Sequence, residues 1–273
     1  MAGKCDLSVS ILTTSYNQLP VLRLLVASLE RQTVRDFEIV VADDGSSDGT
    51  AEYCASKTGT NLVFVTQSDE GYRKSRILNE ALKRCSGDYL IFLDSDVILE
   101  KHFVEDHLAL RKSDSFVCGR RVDLGPEITV SEERILAGDF DHIWNPDLLR
   151  SVLNKKTLGI KRGLRVCAPL LRKLMRYDRP IDILGSNFSA WKKDILAVNG
   201  FNEGLESYWG EDGDLFIRLR NSGKKAVNAK GMCVQFHLFH KRREPNSEVV
   251  ERITALVKNT DYKWAEKGYR SRF

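Results

Sequence analysis

The chain has 273 residues, 29% of them charged and 42% hydrophobic, with a net charge of +4. That length supplies a sizeable core, in one large domain or two small ones, and the charge is too mild to indicate nucleic-acid binding. The six cysteines, Cys5, Cys54, Cys85, Cys118, Cys167 and Cys233, form no C-x-x-C or other close pair. This argues against zinc and thioredoxin-like chemistry and for free thiols in a reducing compartment. No run approaches about 18 apolar residues and the first residues lack a long apolar core, so neither a membrane span nor a signal peptide is expected and a cytosolic location is the default.

Leu7 to Thr14, rich in β-branched and large apolar residues, predicts a first strand, followed by a turn at Ser15-Tyr16-Asn17-Gln18. Leu22, Leu25, Val26 and Leu29 fall at helical spacing within Leu19 to Arg31. Phe37 to Ala42 predicts a second strand running into Asp43-Asp44-Gly45, and Thr50 to Lys57 a short helix. Leu62 to Thr66 predicts a third strand, and Lys74 to Cys85 a helix stopped near Gly87. Tyr89-Leu90-Ile91-Phe92-Leu93 predicts a strand buried on both faces that ends in Asp94-Ser95-Asp96. Strands and helices alternating at intervals of about 25 residues indicate a parallel, helix-covered sheet.

Ligands of such a sheet sit outside the carboxyl ends of its strands, so the polar groups following the strands should converge. Two neighbouring carboxylates repel unless a cation joins them, which makes Asp94 and Asp96 candidates for a divalent metal. The competing reading makes Ser95-Asp96 the cap of a helix beginning near Glu100. No G-x-G-x-x-G and no P-loop follows any strand.

The second half is less regular. A helix is predicted over Lys101 to Arg111 and a strand over Ser115 to Arg121. Between Leu148 and Arg179 ten cations stand against one acid, Asp178, with leucines interleaved. Such a stretch favours an anionic membrane surface, or else is a solvated helix face packed on the core by its leucines. Further on, Asp212, Leu215, Phe216 and Leu219 share a helical stripe behind Trp209-Gly210-Glu211. Acids at a helix start suit its dipole, but that does not explain the aromatic pair before them. Phe236-His237-Leu238-Phe239-His240 alternates as a strand would, placing His240 opposite in facing to His237, and is followed by Lys241-Arg242-Arg243. A C-terminal helix is predicted from Ser247 to Lys258.

Thr14-Ser15-Tyr16-Asn17, Asp43-Asp44-Gly45-Ser46, and Gly87-Asp88-Tyr89 leading to Asp94-Ser95-Asp96 resemble, in that order, the family 2 glycosyltransferases. Trp209-Gly210-Glu211-Asp212 with His237, and Glu244-Pro245-Asn246 after it, resemble the galactosyltransferase-like region of chondroitin-type polymerases and β-1,4-galactosyltransferases. The resemblance covers roughly residues 7 to 250 and implies an α/β chain of the GT-A fold: a Rossmann-like, mostly parallel sheet with helices on both faces and a smaller acceptor-side subregion. It implies one domain over 1–273, with a nucleotide-sugar half to about 122, an acceptor and catalytic half to about 246, and a C-terminal helix and tail.

The resemblance further implies an inverting transfer from a UDP-sugar, with Mn²⁺ or Mg²⁺. Thr14, Tyr16 and Asp44 would hold uracil and ribose, Lys74 and Arg76 the diphosphate, and Asp94 and Ser95 would join the nucleotide site. Asp96 and His237, with Asp94, would ligate metal, His240 being the competing histidine. Where the animal enzymes carry a methionine ligand this chain has Val234. Asp212 would be the general base, Glu211 would bind donor or acceptor sugar, and Trp209 and Gly185 would line the sugar site. The acceptor would be a glycan or lipid-linked glycan of bacterial surface polysaccharide or lipopolysaccharide, reached from the cytoplasm or the inner membrane face. The rival readings are a sugar-nucleotide nucleotidyltransferase, which would want glycine after the first strand, and a noncatalytic carbohydrate- or membrane-binding module.

Overall fold

The computed structural model describes residues 8–57, 60–205, 208–241, 244 and 246–270. Cys5, Leu7, Arg242, Arg243 and Pro245, which enter the readings above, lie outside the described residues. The first half alternates as predicted: β1 (Val9–Ser15), α1 (Leu19–Leu29), β2 (Glu38–Asp43), α2 (Thr50–Ser56), β3 (Leu62–Thr66), α3 (Lys74–Arg84) and β4 (Tyr89–Asp94). There follow β5 (Val97–Leu99), α4 (Phe103–Leu110), β6 (Ser115–Cys118), β7 (Val122–Asp123), α5 (Glu132–Ala137), α6 (Pro146–Leu153) and α7 (Pro169–Leu174). The last elements are β8 (Phe188–Trp191), α8 (Lys192–Ala197), α9 (Glu211–Asn221), β9 (Lys225–Asn228), β10 (Gln235–His237) and α10 (Ser247–Val257).

Seven strands form one sheet in the order β3-β2-β1-β4-β8-β6-β9, and three form a second in the order β5-β10-β7. Every pairing in the large sheet is parallel except those of β8, which runs antiparallel to both β4 and β6. Side chains alternate between its faces. Ile11, Val41 and Ile91 join Leu22 and Leu25 of α1 on one face, while Leu12, Val40 and Phe92 join Ile77 and Leu78 of α3 on the other. Both faces are therefore covered, which is why β4 reads as an unbroken apolar run.

Three local expectations are corrected. No helix begins at Glu100: β5 intervenes, Glu100 accepts from the backbone N–H of His102, and α4 starts at Phe103. The Asp94-Ser95-Asp96 turn thus joins two strands and caps no helix. The strand expected to reach Arg121 stops at Cys118, and the next residue, Gly119, lies so close to Asn187 that a Cβ there would fall 2.0 Å from its Oδ1. Gly87 is not a helix stop either, since α3 ends at Arg84. Its backbone passes so near β1 that a Cβ would fall 2.4 Å from the Ser10 hydroxyl, so only glycine fits.

α9 is anchored from within. Arg218 is fully buried, donates to Asp214 Oδ2 at 2.7 Å through Nε, and donates to the carbonyls of Val198 and Gly200 at 2.6 and 2.8 Å. Asp214 Oδ1 accepts from Asn202 and from the Tyr262 hydroxyl. Removing one partner leaves an unpaired buried charge, so Arg218→Met is expected to cost about 3–5 kcal/mol in urea unfolding. A loss below about 1 kcal/mol would show that the network is dispensable.

Candidate active site

The order β2-β1-β4 reverses chain direction across the sheet between β1 and β4, and the crevice lies at the carboxyl ends of those strands. Register sets its members side by side: Thr14 opposite Asp94, and Ser15 opposite Asp43. Thr14, Lys74, Asp94, Gly185, Glu211 and Asp212 line one crevice floored by Phe92 and Phe188, whose rings stack at 4.3 Å. Six of the residues singled out in the sequence therefore meet, although they come from five separate segments of the chain.

Lys74 sits between two carboxylates, 2.8 Å from Asp94 Oδ1 and 2.9 Å from Glu211 Oε1. Burial favours the neutral amine, but these two charges outweigh it and hold the ammonium protonated far above the usual lysine range. Asp212 is held by backbone donors: Gly185 N–H reaches Oδ2 and Gly213 N–H reaches Oδ1, each at 2.8 Å. A Cβ at Gly185 would come to 3.3 Å from that Oδ2, so the glycine's contribution is its close backbone approach to Asp212. Burial, with the neighbouring Glu211 charge adding, pushes the Asp212 carboxyl up to about 6 against the opposing pull of Lys74 and the two N–H groups. Glu211 Oε2 is buried without a hydrogen-bond partner among the described residues.

The second sheet builds the other half of the site. β10 pairs His237 with Val97, the residue after Asp96, and with Asp123 of β7. His237 Nε2 lies 3.3 Å from Asp96 Oδ2, and its Nδ1 lies 3.5 Å from Asp123 Oδ1. His240 Nε2 lies 3.0 Å from the same Asp96 oxygen and 3.2 Å from His237 Nε2. The expected alternation of the two histidines fails because β10 ends at His237 and the chain then turns. Both imidazoles consequently face Asp96, and Val234, at the methionine position of the animal enzymes, is buried.

Asp96, His237 and His240 offer one atom each, all within 4.8 Å of one another, and Asp96 Oδ1 is buried and unpartnered among the described residues. That donor set fits a divalent cation, with Asp123 placed to orient His237 from behind. Burial would raise the Asp96 carboxyl, but the two histidines outweigh it and hold it well below the carboxylate range. Asp94, also expected on the metal, accepts from the Lys74 ammonium at 2.8 Å.

The remaining candidates flank the crevice. Asp44 accepts from Gln67 Nε2 at 2.5 Å and from the Arg73 N–H at 2.9 Å. Tyr16 is exposed, its hydroxyl donating to Asp69 at 2.9 Å. Arg76 keeps a buried Nε with no partner among the described residues. Ser95 is buried and donates to Gln18 at 3.0 Å, so its hydroxyl fastens the turn. Trp209 is half-exposed at a φ of +82°, followed by Gly210 at +107°. A bulky residue in the left-handed region is strained, and such strain concentrates at functional sites. Asp123 escaped the sequence reading, since a two-residue strand carries no periodic signal.

The family model described as Glycosyl transferase family 2 matches residues 10–176. The chain belongs to the family 2 glycosyltransferases. A second model, the N-terminal domain of galactosyltransferase, matches residues 171–242. The glycosyltransferase YfnE of Bacillus subtilis is 27% identical over 241 residues, covering 80% of this chain and 61% of YfnE. Chondroitin synthase of Escherichia coli is 24% identical over 271 residues, covering 92% of this chain and 37% of the synthase. Validoxylamine A glucosyltransferase of Streptomyces hygroscopicus subsp. jinggangensis is 35% identical over 224 residues, covering 79% and 52% respectively.

The chain thus spans 37% to 61% of the length of these family members. Among solved structures, S. aureus TarS 1–349 in complex with UDP-GlcNAc superposes with a TM-score of 0.60 at 17% identity, over 93% of this chain and 67% of TarS 1–349. The mannosyltransferase PcManGT of Pyrobaculum calidifontis, in complex with GDP-Man and Mn²⁺, gives 0.57 at 16%, over 86% and 57%. The fold is the GT-A fold of these glycosyltransferases. Family membership takes precedence over the nucleotidyltransferase and binding-module readings.

Proposed function

We propose that the chain transfers a hexose or N-acetylhexosamine from a UDP-sugar to a hydroxyl of a glycan or lipid-linked acceptor, with inversion. The observation that carries this reading is Asp212. It is a carboxylate raised to about 6 and fixed by two backbone N–H groups in the crevice that also holds Thr14, Lys74 and Asp94. A general base works best with a pKa close to the working pH.

In the proposed step the acceptor oxygen attacks the anomeric carbon while its proton passes to Asp212. The bond from that carbon to the UDP oxygen breaks, and a single displacement turns an α-linked donor into a β product. Glu211 Oε2, a buried acceptor unpartnered among the described residues, would take a sugar hydroxyl, and Trp209 would offer its ring to a sugar face. Tyr16 and Asp44 would hold the uridine, Lys74 and Arg76 the diphosphate. A divalent cation held by Asp96, His237 and His240 would neutralise charge developing on the departing diphosphate. Two imidazole nitrogens weigh against Mg²⁺, which takes oxygen ligands, and toward a transition ion such as Mn²⁺.

The test is UDP release from a panel of UDP-sugars with Mn²⁺ and glycan acceptors, followed across pH. Because Asp212 acts deprotonated and its pKa lies near 6, kcat should hold above that pH and fall roughly tenfold per unit below it. Lys74 favours the charged carboxylate, so Lys74→Met should move that acid limb to higher pH. No UDP release from any UDP-sugar would overturn the reading, and an acid limb near pH 4 would overturn the choice of base.

A further inference from the structure

The basic stretch from Leu148 to Arg179 is built the wrong way round for a packed segment. Two of its cations face inward: Arg165 pairs with buried Asp106 at 2.6 Å, and Arg172 donates to the carbonyls of Asn228 and Lys230 at 2.7 Å. These bonds fasten the stretch to the body of the protein. Leu148 and Val166 are buried, but most of its other apolar residues face outward. α7 buries no residue at all, and Leu170 and Leu174, one turn apart, are 74% and 72% exposed. Leu153, Leu164, Leu171 and Met175 are exposed as well. Lys155, Lys161, Arg162, Lys173 and Arg176 stand exposed among them.

We infer that this surface docks the protein onto an anionic lipid bilayer, the leucines entering the interface and the cations meeting headgroup phosphates. The charge decides between occupants. A second copy of the chain in a two-fold contact would set this cationic surface against itself, whereas acidic headgroups neutralise it. The surface also adjoins the metal-ligand cluster. Leu158 exchanges backbone hydrogen bonds with Asp123, the residue behind His237, and Arg162 donates to the Arg121 carbonyl. An acceptor carried in the membrane would therefore be presented beside the crevice, a consequence that rests on the proposed transfer although the docking itself does not.

The test is flotation of the full chain with phosphatidylcholine vesicles, with and without phosphatidylglycerol, at low and high salt. Binding is expected only with phosphatidylglycerol and is expected to weaken with salt. The double variant Leu170→Ser/Leu174→Ser should lower the bound fraction at least tenfold while leaving the melting temperature and UDP release to a soluble acceptor unchanged. Lys173→Glu/Arg176→Glu should do the same. Absence of flotation, or equal flotation of the variants, overturns the inference. So does a dimer in sedimentation that the leucine variant dissolves, which would assign the face to a second copy. Flotation needs no turnover, so a protein that floats yet transfers no sugar overturns the transfer reading alone.

Discussion

Asp212→Asn is expected to abolish transfer while UDP still binds within a few-fold of wild type. The amide has the shape of the carboxylate but cannot take a proton from an attacking hydroxyl, and general-base catalysis is worth roughly 10²–10⁴ in rate. Its oxygen can accept from only one of the two N–H groups, Gly185 or Gly213, that the carboxylate now satisfies. Leaving the other unpaired costs about 1–3 kcal/mol, partly offset because the like charge of Glu211 loses its neighbour. Asp212 bonds to none of the residues assigned to uridine, which is why nucleotide affinity should survive. Turnover and calorimetric titration of UDP, run on the same preparation, check both halves. Parallel loss of UDP binding would show that Asp212 shapes the donor site and is not the base.

Asp96→Ala should remove the metal-dependent part of UDP binding. The carboxylate is in contact with both His237 and His240, and it has a buried oxygen still unpartnered among the described residues. Altering residues that merely support metal ligands lowers affinity about 10- to 100-fold, so losing a ligand should cost at least that much. Titrating UDP with and without Mn²⁺ gives the comparison. Wild type should bind more tightly with the ion, and the variant should bind equally in both conditions. A variant that keeps its response to Mn²⁺ would move the metal away from the Asp96 cluster.

The strands that lead to the crevice were legible because each one is an apolar run ending in polar residues. In a parallel sheet those endings must share an edge, so Thr14, Asp44 and Asp94 could be brought together without coordinates. Helix α9 was legible from the spacing of Leu215 and Leu219, and its acids from their place at its start. What stayed hidden depends on contacts remote in sequence. β8 enters the sheet antiparallel between β4 and β6, and no local pattern distinguishes an antiparallel insert from a parallel strand. Period-2 reasoning extended β10 to His240, whereas three residues of strand and a turn bring both histidines to one carboxylate. The basic stretch showed its composition but not its orientation, since Arg165 and Arg172 find partners at Asp106, Asn228 and Lys230, far along the chain.

The small sheet β5-β10-β7 has a consequence for the order in which the protein matures. β1 to β4 draw on residues 9–94 alone, so their pairing can be completed while the chain is still being made. β5 and β7 leave the ribosome early too, but the strand that lies between them, β10, is more than a hundred residues downstream. Until it emerges, Asp96 has neither histidine beside it. Contacts of such long range are slow to close. The nascent chain can therefore pair the strands leading to Thr14, Asp43 and Asp94 well before Gly185, Glu211 and Asp212 complete the crevice, and the proposed cation site of Asp96, His237 and His240 can assemble only once synthesis has passed His240.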